Sequence, residues 1–331
     1  MANASVRVYR GTTRNLKFLA GRLRAGEVVA VPTETVYGLA ANALKASACR
    51  KIFRAKGRPL NDPLIVHLHS MAGLPQVCEA NPAALKLARK FWPGPLTLVL
   101  PKKSAVPAIV SAGRESVAVR VPAHRLFRRL LQLTGLPLAA PSANPFGYIS
   151  PTTAGHVRQS LGKKISHILN GGPSRIGVES TIVDLRNPAK PRVLRPGAIS
   201  REALAATLGC KVGLARRSTV NSREAKAQVA PGLLERHYSP RTPVVLHQRI
   251  STHGDARCGY IFFRQPAGPA RANIFWLDAR GNLAGAARRL FATLRRADDR
   301  QFSQLHVELA PAAGGSLGIA INDRLRRAAS R

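Results

Sequence analysis

The stretch "EVVAVPTETVYGLAANAL" opens on an apolar run over residues 28–31. Pro32, which cannot donate to a strand ladder, stops it. Downstream, "SACRKIFRA" repeats its apolar positions at helical spacing, and "PLIVHL" returns to a continuous apolar run of strand length. The same alternation continues: "PAALKLARKFW" reads as a helix, "PLTLVLP" and "SVAVRVP" as strands, and "LFRRLLQLTG" as an amphipathic helix closed by Gly135. "PLAAPSAN" is expected to be a strand running into a polar loop, with "ISHILNGG" and "STIVDL" as further strands. Strands and helices mix without a strict β-α-β rhythm, which predicts a mixed α/β sheet domain.

Between about residues 210 and 240 the apolar periodicity lapses. "GLARRSTVNSREAKAQVAPGLLERHYSP" is polar, with Pro and Gly near its end, as a linker would be. Beyond it, "TPVVLHQ", "CGYIFF", "NIFWLD" and "QLHVELA" are strand-like, while "LAGAARRLFATLRRADD" and "AINDRLRRAAS" read as helices. That alternation predicts a small Rossmann-like α/β domain, without the GxGxxG turn that dinucleotide binding would need. The expected organisation is a first domain over 1–210, a linker over 211–240 and a second domain over 241–331. A length of 331 residues suits two domains.

Charge changes the picture. Lys and Arg number 52 against 16 Asp and Glu, a formal net charge of +36, and 39 of the 52 are Arg. The excess is spread along the chain, with 31 bases and 8 acids up to residue 210 and 21 and 8 after it, so no detachable basic arm explains it. Ala, Gly and Pro are abundant too, so compositional bias is an alternative source of the excess. Its sign still implies attraction for nucleotides, RNA and other anions. Cys49, Cys78, Cys210 and Cys258 form no CxxC pair, which argues against a zinc site or disulfide framework. No apolar run is long enough for a bilayer and "MANASVRVYR" has no signal core, so a soluble, cytoplasmic protein without membrane contact is expected.

The oddest local feature is "KIFRAKGRPLNDPLIVHLHS", where Lys51, Arg54, Lys56 and Arg58 crowd the lip of a core strand with only Asp62 nearby. Lys56 and Arg58 stand two apart, and Pro59 disfavours helical geometry at Arg58, so extended backbone would aim both cations at one place. A merely solvated pair is the plain alternative. In "APSANPFGYISP", Ser142 and Asn144 alternate likewise, offering neutral donors suited to a polyphosphate, or a structural turn. Arg120 interrupts the apolar "SVAVRVP" and calls for an anion, either a ligand carboxylate or an internal partner such as Glu179. His67 ends "PLIVH" and reads as structural unless a ligand recruits it. No GxxxxGK[ST], HExxH, GxSxG or kinase signature is present, so phosphate binding would have to be built from scattered strand ends.

Together, "VPTETVYGLAANA", "KGRPLNDPLIVH", "FWPGPLTLVL", "VAVRVP", "APSANPFGYISPTTAGHV", "GVESTIVDL" and "LRPGAIS" resemble, in order, the YrdC family. "APGLLERHYSP" and "GIAINDRLRRAA" are similar to its long, two-domain threonylcarbamoyl-AMP synthases. The resemblance spans nearly the whole chain. It implies a YrdC-like twisted open sheet with a basic cavity, followed by a small appended domain. It also implies a nucleotidyltransferase that condenses L-threonine, bicarbonate and ATP, with magnesium, to threonylcarbamoyl-adenylate and pyrophosphate. The product would feed a tRNA-modifying threonylcarbamoyl transferase. Lys56, Arg58, Ser142 and Asn144 match the family's KxR…SxN positions around ATP, with Lys56 and Arg58 catalytic. Asp62, Ser116, Ser150 and Arg195 fall at further nucleotide positions, and Tyr238 at a linker aromatic that closes over the nucleotide. Thr35, His67, Arg120, Ala140 and Ser180 match the threonine pocket.

Two positions depart from the pattern. Asp62 stands where relatives often carry Asn, and would repel phosphate unless a cation intervenes; Leu233 stands where Met is common. The competing reading is a non-catalytic, RNA-binding YrdC-like module, since a basic concave face also suits contact with RNA. A carbamoyl-transferring hydrogenase maturation factor embeds a similar domain but should carry cysteine-rich zinc motifs.

Overall fold

The computed structural model describes residues 6–215, 228–232, 237–251, 254–269, 271–311 and 314–330. The first part builds one eleven-stranded mixed sheet. Its strands are β1 (Arg7–Arg10), β2 (Val29–Val31), β3 (Gly38–Asn42), β4 (Ile65–His67), β5 (Leu96–Pro101), β6 (Ser116–Arg120), β7 (Leu138–Ala139), β8 (His167–Asn170), β9 (Thr181–Asp184), β10 (Arg192–Arg195) and β11 (Gly213–Leu214). The spatial order is β1-β8-β2-β3-β7-β4-β6-β5-β9-β10-β11. Parallel pairs such as β4–β6 and β5–β9 alternate with antiparallel ones such as β2–β3 and β5–β6, as the broken rhythm of the sequence predicts. A second sheet of four parallel strands, β12 (Val244–His247), β13 (Cys258–Arg264), β14 (Ile274–Asp278) and β15 (Gln304–Glu308), runs in the order β12-β15-β13-β14.

Several elements differ from the sequence-based expectation. The strand Arg7–Arg10 and the helix Thr13–Arg24 precede the expected first strand. "PLAAPSAN" contributes only the two-residue β7, because the chain leaves the ladder at Ala140 to line the site. The last helix begins at Gly315, five residues before the apolar pattern suggests, and buries Gly318 against the turn from Pro311. Lys56 and Arg58 do not alternate along one extended strand. Lys56 is the last residue of the helix Ala46–Lys56, and Gly57 closes it in the left-handed conformation at φ +63°. Arg58 N then bonds back to Phe53 O at 3.0 Å, a helix-ending turn that glycine accommodates without a Cβ clash.

The two sheets share an apolar interface. Val36, Ile149 and Val178 of the first part join Phe291, Leu294 and Ile321 of the second in one buried cluster. Residues 216–227 and 233–236 of the expected linker, including Leu233, lie outside the described residues. The described remainder runs along the first sheet, where Gln228 N donates to Asn61 O at 2.9 Å and Ser239 N to Gly147 O at 2.8 Å. No helix among the described residues is long and apolar enough to cross a membrane.

Candidate active site

The site grows from strand ends. In the parallel β4–β6 pair, His67 lies directly beside Arg120, and antiparallel β7 sets Leu138 against His67. Ala140 N then donates to Ile65 O at 3.0 Å, which fixes the chain as it leaves β7. After β2, Thr33 Oγ1 accepts from Thr35 N and Val36 N, both at 3.1 Å, the local hydroxyl turn that Thr favours. That turn aims Glu34 and Thr35 at Arg120. Arg120 Nη2 donates to Glu34 Oε1 at 2.7 Å, Nη1 to Thr35 Oγ1 at 3.0 Å and Nε to Gly94 O at 3.1 Å. The internal anion of Arg120 is therefore Glu34. Glu179, the partner considered from sequence, pairs instead with Arg324 at 2.9 Å.

Across the cavity stand the cations. Arg58 Nη2 lies 2.9 Å from Asp62 Oδ1, and its Nε and Nη2 also donate to the carbonyls of Asp62 and Pro63. Asp62 thus faces a guanidinium, so its departure from the family pattern carries its own neutralisation. Lys56 Nζ donates to the carbonyls of Ser142 (2.6 Å) and Asn144. Asn144 in turn donates to Pro145 O and Tyr148 O. Arg195 Nη2 reaches Ser180 Oγ at 3.1 Å, and its Nη1 reaches the linker carbonyl of Pro231 at 3.2 Å. Ser180 Oγ also meets Thr97 Oγ1 at 2.7 Å. Ser150 Oγ donates to Glu179 Oε1 at 2.6 Å, and Ser116 Oγ is buried with no hydrogen-bond partner.

Thr35, Arg58, His67, Arg120, Ala140, Ser142, Ser180, Arg195 and Tyr238 line one cavity of about 50 Å³. Lys56, Asp62, Ser116, Asn144 and Ser150 are buried but do not line it. Pro231, Gly232, His237 and Tyr238 of the linker line it as well. Tyr238 is fully buried at φ +65°, its ring 4.0 Å from that of His237 and 5.5 Å from that of Phe291. Gly232 lies close against both side chains, since a Cβ there would sit 2.9 Å from Tyr238 Oη and 3.0 Å from Arg195 Nη1.

Burial dominates the electrostatics. It pushes Lys56 well below its ordinary pKa, with the charge of Arg58 adding to the effect, and it lowers Arg58 and Arg195 as well. Burial raises Asp62, while Arg58 and Lys56 pull it back. For Glu34, burial acts upward, but the charge and hydrogen bond of Arg120 hold the carboxyl below its usual range. His67 is pushed down to about 3 by burial and then by Arg120, so the imidazole is neutral at physiological pH. Sequence reasoning missed Glu34 and Arg324. The single sign available was an acid between two threonines where an apolar strand stops.

Fold and site define a two-domain α/β protein whose buried cationic cavity is built from strand ends, without a glycine-rich phosphate loop. Comparison with known proteins narrows the class. The family model Sua5_yciO_yrdC, described as "Telomere recombination", matches residues 22–197, and the model "Threonylcarbamoyl-AMP synthase, C-terminal domain" matches residues 199–330. The chain belongs to the Sua5/YciO/YrdC family and carries its long, two-domain form. It is 38% identical over 325 residues to the threonylcarbamoyl-AMP synthase of Pyrococcus abyssi, covering 95% of this chain and 93% of the relative. Against the Bacillus subtilis threonylcarbamoyl-AMP synthase it is 39% identical over 326 residues, covering 94% and 91%. The crystal structure of P. abyssi Sua5 complexed with L-threonine superposes with a TM-score of 0.87 at 36% identity, over 98% of this chain and 97% of that one.

Proposed function

We propose that this chain is a threonylcarbamoyl-AMP synthase that condenses L-threonine, bicarbonate and ATP to L-threonylcarbamoyladenylate and pyrophosphate. The observation that carries the reading is the cavity, where Thr35, His67, Arg120, Ala140 and Ser180 face Arg58, Ser142 and Arg195. One half suits an amino acid and the other a polyphosphate. The namesake relatives and the threonine-bound archaeal structure support the same assignment.

In this reading, two donors of Arg120 left over from Glu34, Thr35 and Gly94 take the threonine carboxylate. Neutral His67 reads the hydroxyl. The threonine nitrogen forms a bond to the bicarbonate carbon with loss of water, giving a carbamate. A carbamate oxygen then bonds to the α-phosphorus, and the bond to the bridging oxygen breaks, its electron pair leaving on pyrophosphate. Arg58, Lys56 and Arg195 offset the charge that grows on the leaving group, with Ser116, Ser142, Asn144 and Ser150 as neutral donors nearby. Positioning and charge do the work, in keeping with the absence of a nucleophile signature.

No group of three or more His, Cys, Asp or Glu able to hold a metal occurs among the described residues; Asp62 lies 2.9 Å from Arg58, with neither carboxylate oxygen hydrogen-bonded. In this reading magnesium enters with the nucleotide, as its counter-ion. Residues 1–210 form the catalytic domain, 211–240 a lid ending in Tyr238, and 241–331 its anchor. The product passes in the cytoplasm to a tRNA-modifying threonylcarbamoyl transferase.

The test is AMP and pyrophosphate release by the purified protein with each co-substrate omitted in turn. Release that requires both L-threonine and bicarbonate is expected. ATP left intact, with RNA retained, would instead make the protein a binding module.

A further inference from the structure

Arg324 belongs to the second domain, on the helix Gly315–Ala329, yet its side chain is 0% exposed and, apart from the neighbouring Asp323 Oδ2 at 3.0 Å from Nη1, its hydrogen-bond partners lie in the first domain. Nε donates to Glu179 Oε2 at 2.9 Å, Nη1 to Pro196 O at 2.8 Å and Nη2 to Glu179 O at 3.4 Å. The same guanidinium stands 5.6 Å from the centroid of the Tyr238 ring. These three contacts converge on one part of the cavity. Glu179 lines it and accepts from Ser150 Oγ at 2.6 Å. Pro196 directly follows Arg195, whose guanidinium spans Ser180 and the linker carbonyl of Pro231. Tyr238 lines the same cavity. The hydrogen-bond partners of Arg120, namely Glu34, Thr35 and Gly94, are a different set.

A buried ion pair of this kind is a poor stabiliser, because desolvating both charges offsets most of their attraction, and apolar residues of similar volume often serve as well. What a planar, five-donor fork supplies instead is geometry. We propose that Arg324 is a positioning residue for the nucleotide half of the cavity. By clamping Glu179, the Pro196 carbonyl and the Tyr238 ring, it fixes Ser150, Arg195 and the linker aromatic. The second domain thereby supplies part of the active site and is more than an anchor for the lid. The nature of the ligand rests on the synthase reading; the contacts do not.

Three full-length variants test this: Arg324→Lys, Arg324→Met and the double variant Glu179→Gln/Arg324→Met. The double variant avoids stranding a buried carboxylate, and it carries the test if Arg324→Met fails to fold. Calorimetry with a non-hydrolysable ATP analogue and, separately, with L-threonine reads the two halves of the site. Nucleotide affinity should fall by about tenfold or more in the Met-bearing variants, the loss expected when charge-assisted contacts are misplaced. L-threonine affinity should stay within about twofold, and Arg324→Lys, which keeps charge but not the fork, should recover only part of the nucleotide loss. Wild-type nucleotide affinity in a folded Met-bearing variant overturns the proposal, and so does an equal loss for both ligands, which would mark a general structural role. Wild-type protein assayed alongside separates the two ideas. If it makes no threonine-dependent AMP, the synthase reading fails, while the nucleotide affinities still decide the role of Arg324.

Discussion

Replacing Arg120 by Gln is the sharpest probe of the amino-acid half of the cavity, and the structure sets its size on two counts. Arg120 and Glu34 are 3% exposed each and 2.7 Å apart, so removing one strands the other in the interior. Breaking such a pair costs about 3–5 kcal/mol, which the protein would meet partly by protonating Glu34. Binding loses separately. A guanidinium has five N–H donors, and three are used internally, leaving two to take a ligand carboxylate. Losing that contact is worth roughly 1.5–3 kcal/mol, or about ten- to a hundredfold in L-threonine affinity. Stability and recognition are separable in the double variant Glu34→Gln/Arg120→Gln, where an amide pair replaces the ion pair and no carboxylate is stranded. Titration calorimetry with L-threonine, a parallel titration with an ATP analogue and thermal denaturation of both variants complete the assay. The single variant should melt several degrees below wild type, the double variant closer to it, and both should bind L-threonine weakly while keeping nucleotide affinity. A folded double variant with wild-type threonine affinity would refute the reasoning and leave Arg120 with a purely structural duty.

On the nucleotide side, Arg58→Ala should weaken ATP binding by about 2 kcal/mol. Arg58→Ala/Asp62→Asn serves as the foldable control, because Asp62 would otherwise lose its 2.9 Å partner; unchanged ATP binding in calorimetry would sink the assignment. His67, held down to about 3 when folded, stays unprotonated where the unfolded chain titrates near 6.5, so the unfolded state takes up the extra proton as the pH drops. Stability should therefore decline from about pH 6.5 downward, by roughly 2 kcal/mol at about pH 5 from this residue, and denaturant titrations of His67→Gln should show a shallower acid decline. Ending the chain after residue 217 leaves all eleven strands of the first sheet intact, but it uncovers Val36, Ile149 and Val178 and deprives Glu179 of Arg324. The fragment should fold with a lower melting temperature and lose most threonine-dependent AMP formation, with Tyr238→Ala reproducing part of the loss; full activity would show that no lid is needed.

The segments that the sequence made legible are those with a strong period. "LAGAARRLFATLRRADD" corresponds to Leu283–Asp298, "LFRRLLQLTG" to Arg125–Thr134 with Gly135 as its left-handed cap, and "PLIVHL" to Ile65–His67. Missed strands lack that contrast. Arg7–Arg10 buries only Tyr9, and Gly38–Asn42 is made of small residues whose burial comes from neighbours on both faces. Thr13–Arg24 was readable in principle, since Leu16, Leu19, Ala20 and Leu23 recur at helical spacing. Within the site, the motif residues were visible because their types are unusual for their local pattern, as with Arg120 in an apolar alternation. Their partners were not. Glu34 meets Arg120 across 86 positions and Arg324 meets Glu179 across 145, and nothing in local periodicity encodes a contact at that range. Lys56 and Arg58 do come close, but through a helix end and a glycine turn, not through alternating backbone.

The charge that crowds the lip of β4 can now be weighed. Lys56, Arg58, Arg120, Arg195 and Arg324 are each buried at the cavity or among its supporting contacts, with Glu34, Asp62 and Glu179 buried beside them and Asp323 next to Arg324. Two of the acids are matched one to one at close range by Arg58 and Arg120, and the third by Arg324. Lys56 and Arg195 have carbonyl and hydroxyl oxygens as hydrogen-bond partners instead. Neutral acceptors satisfy their donors without cancelling their charge, and burial accordingly shifts both toward the uncharged form. A protein that wanted only stability would do better with apolar side chains here. Compositional bias alone would not bury cations around a closed space. A ligand bringing several negative oxygens would favour the charged forms of Lys56 and Arg195, which burial otherwise opposes.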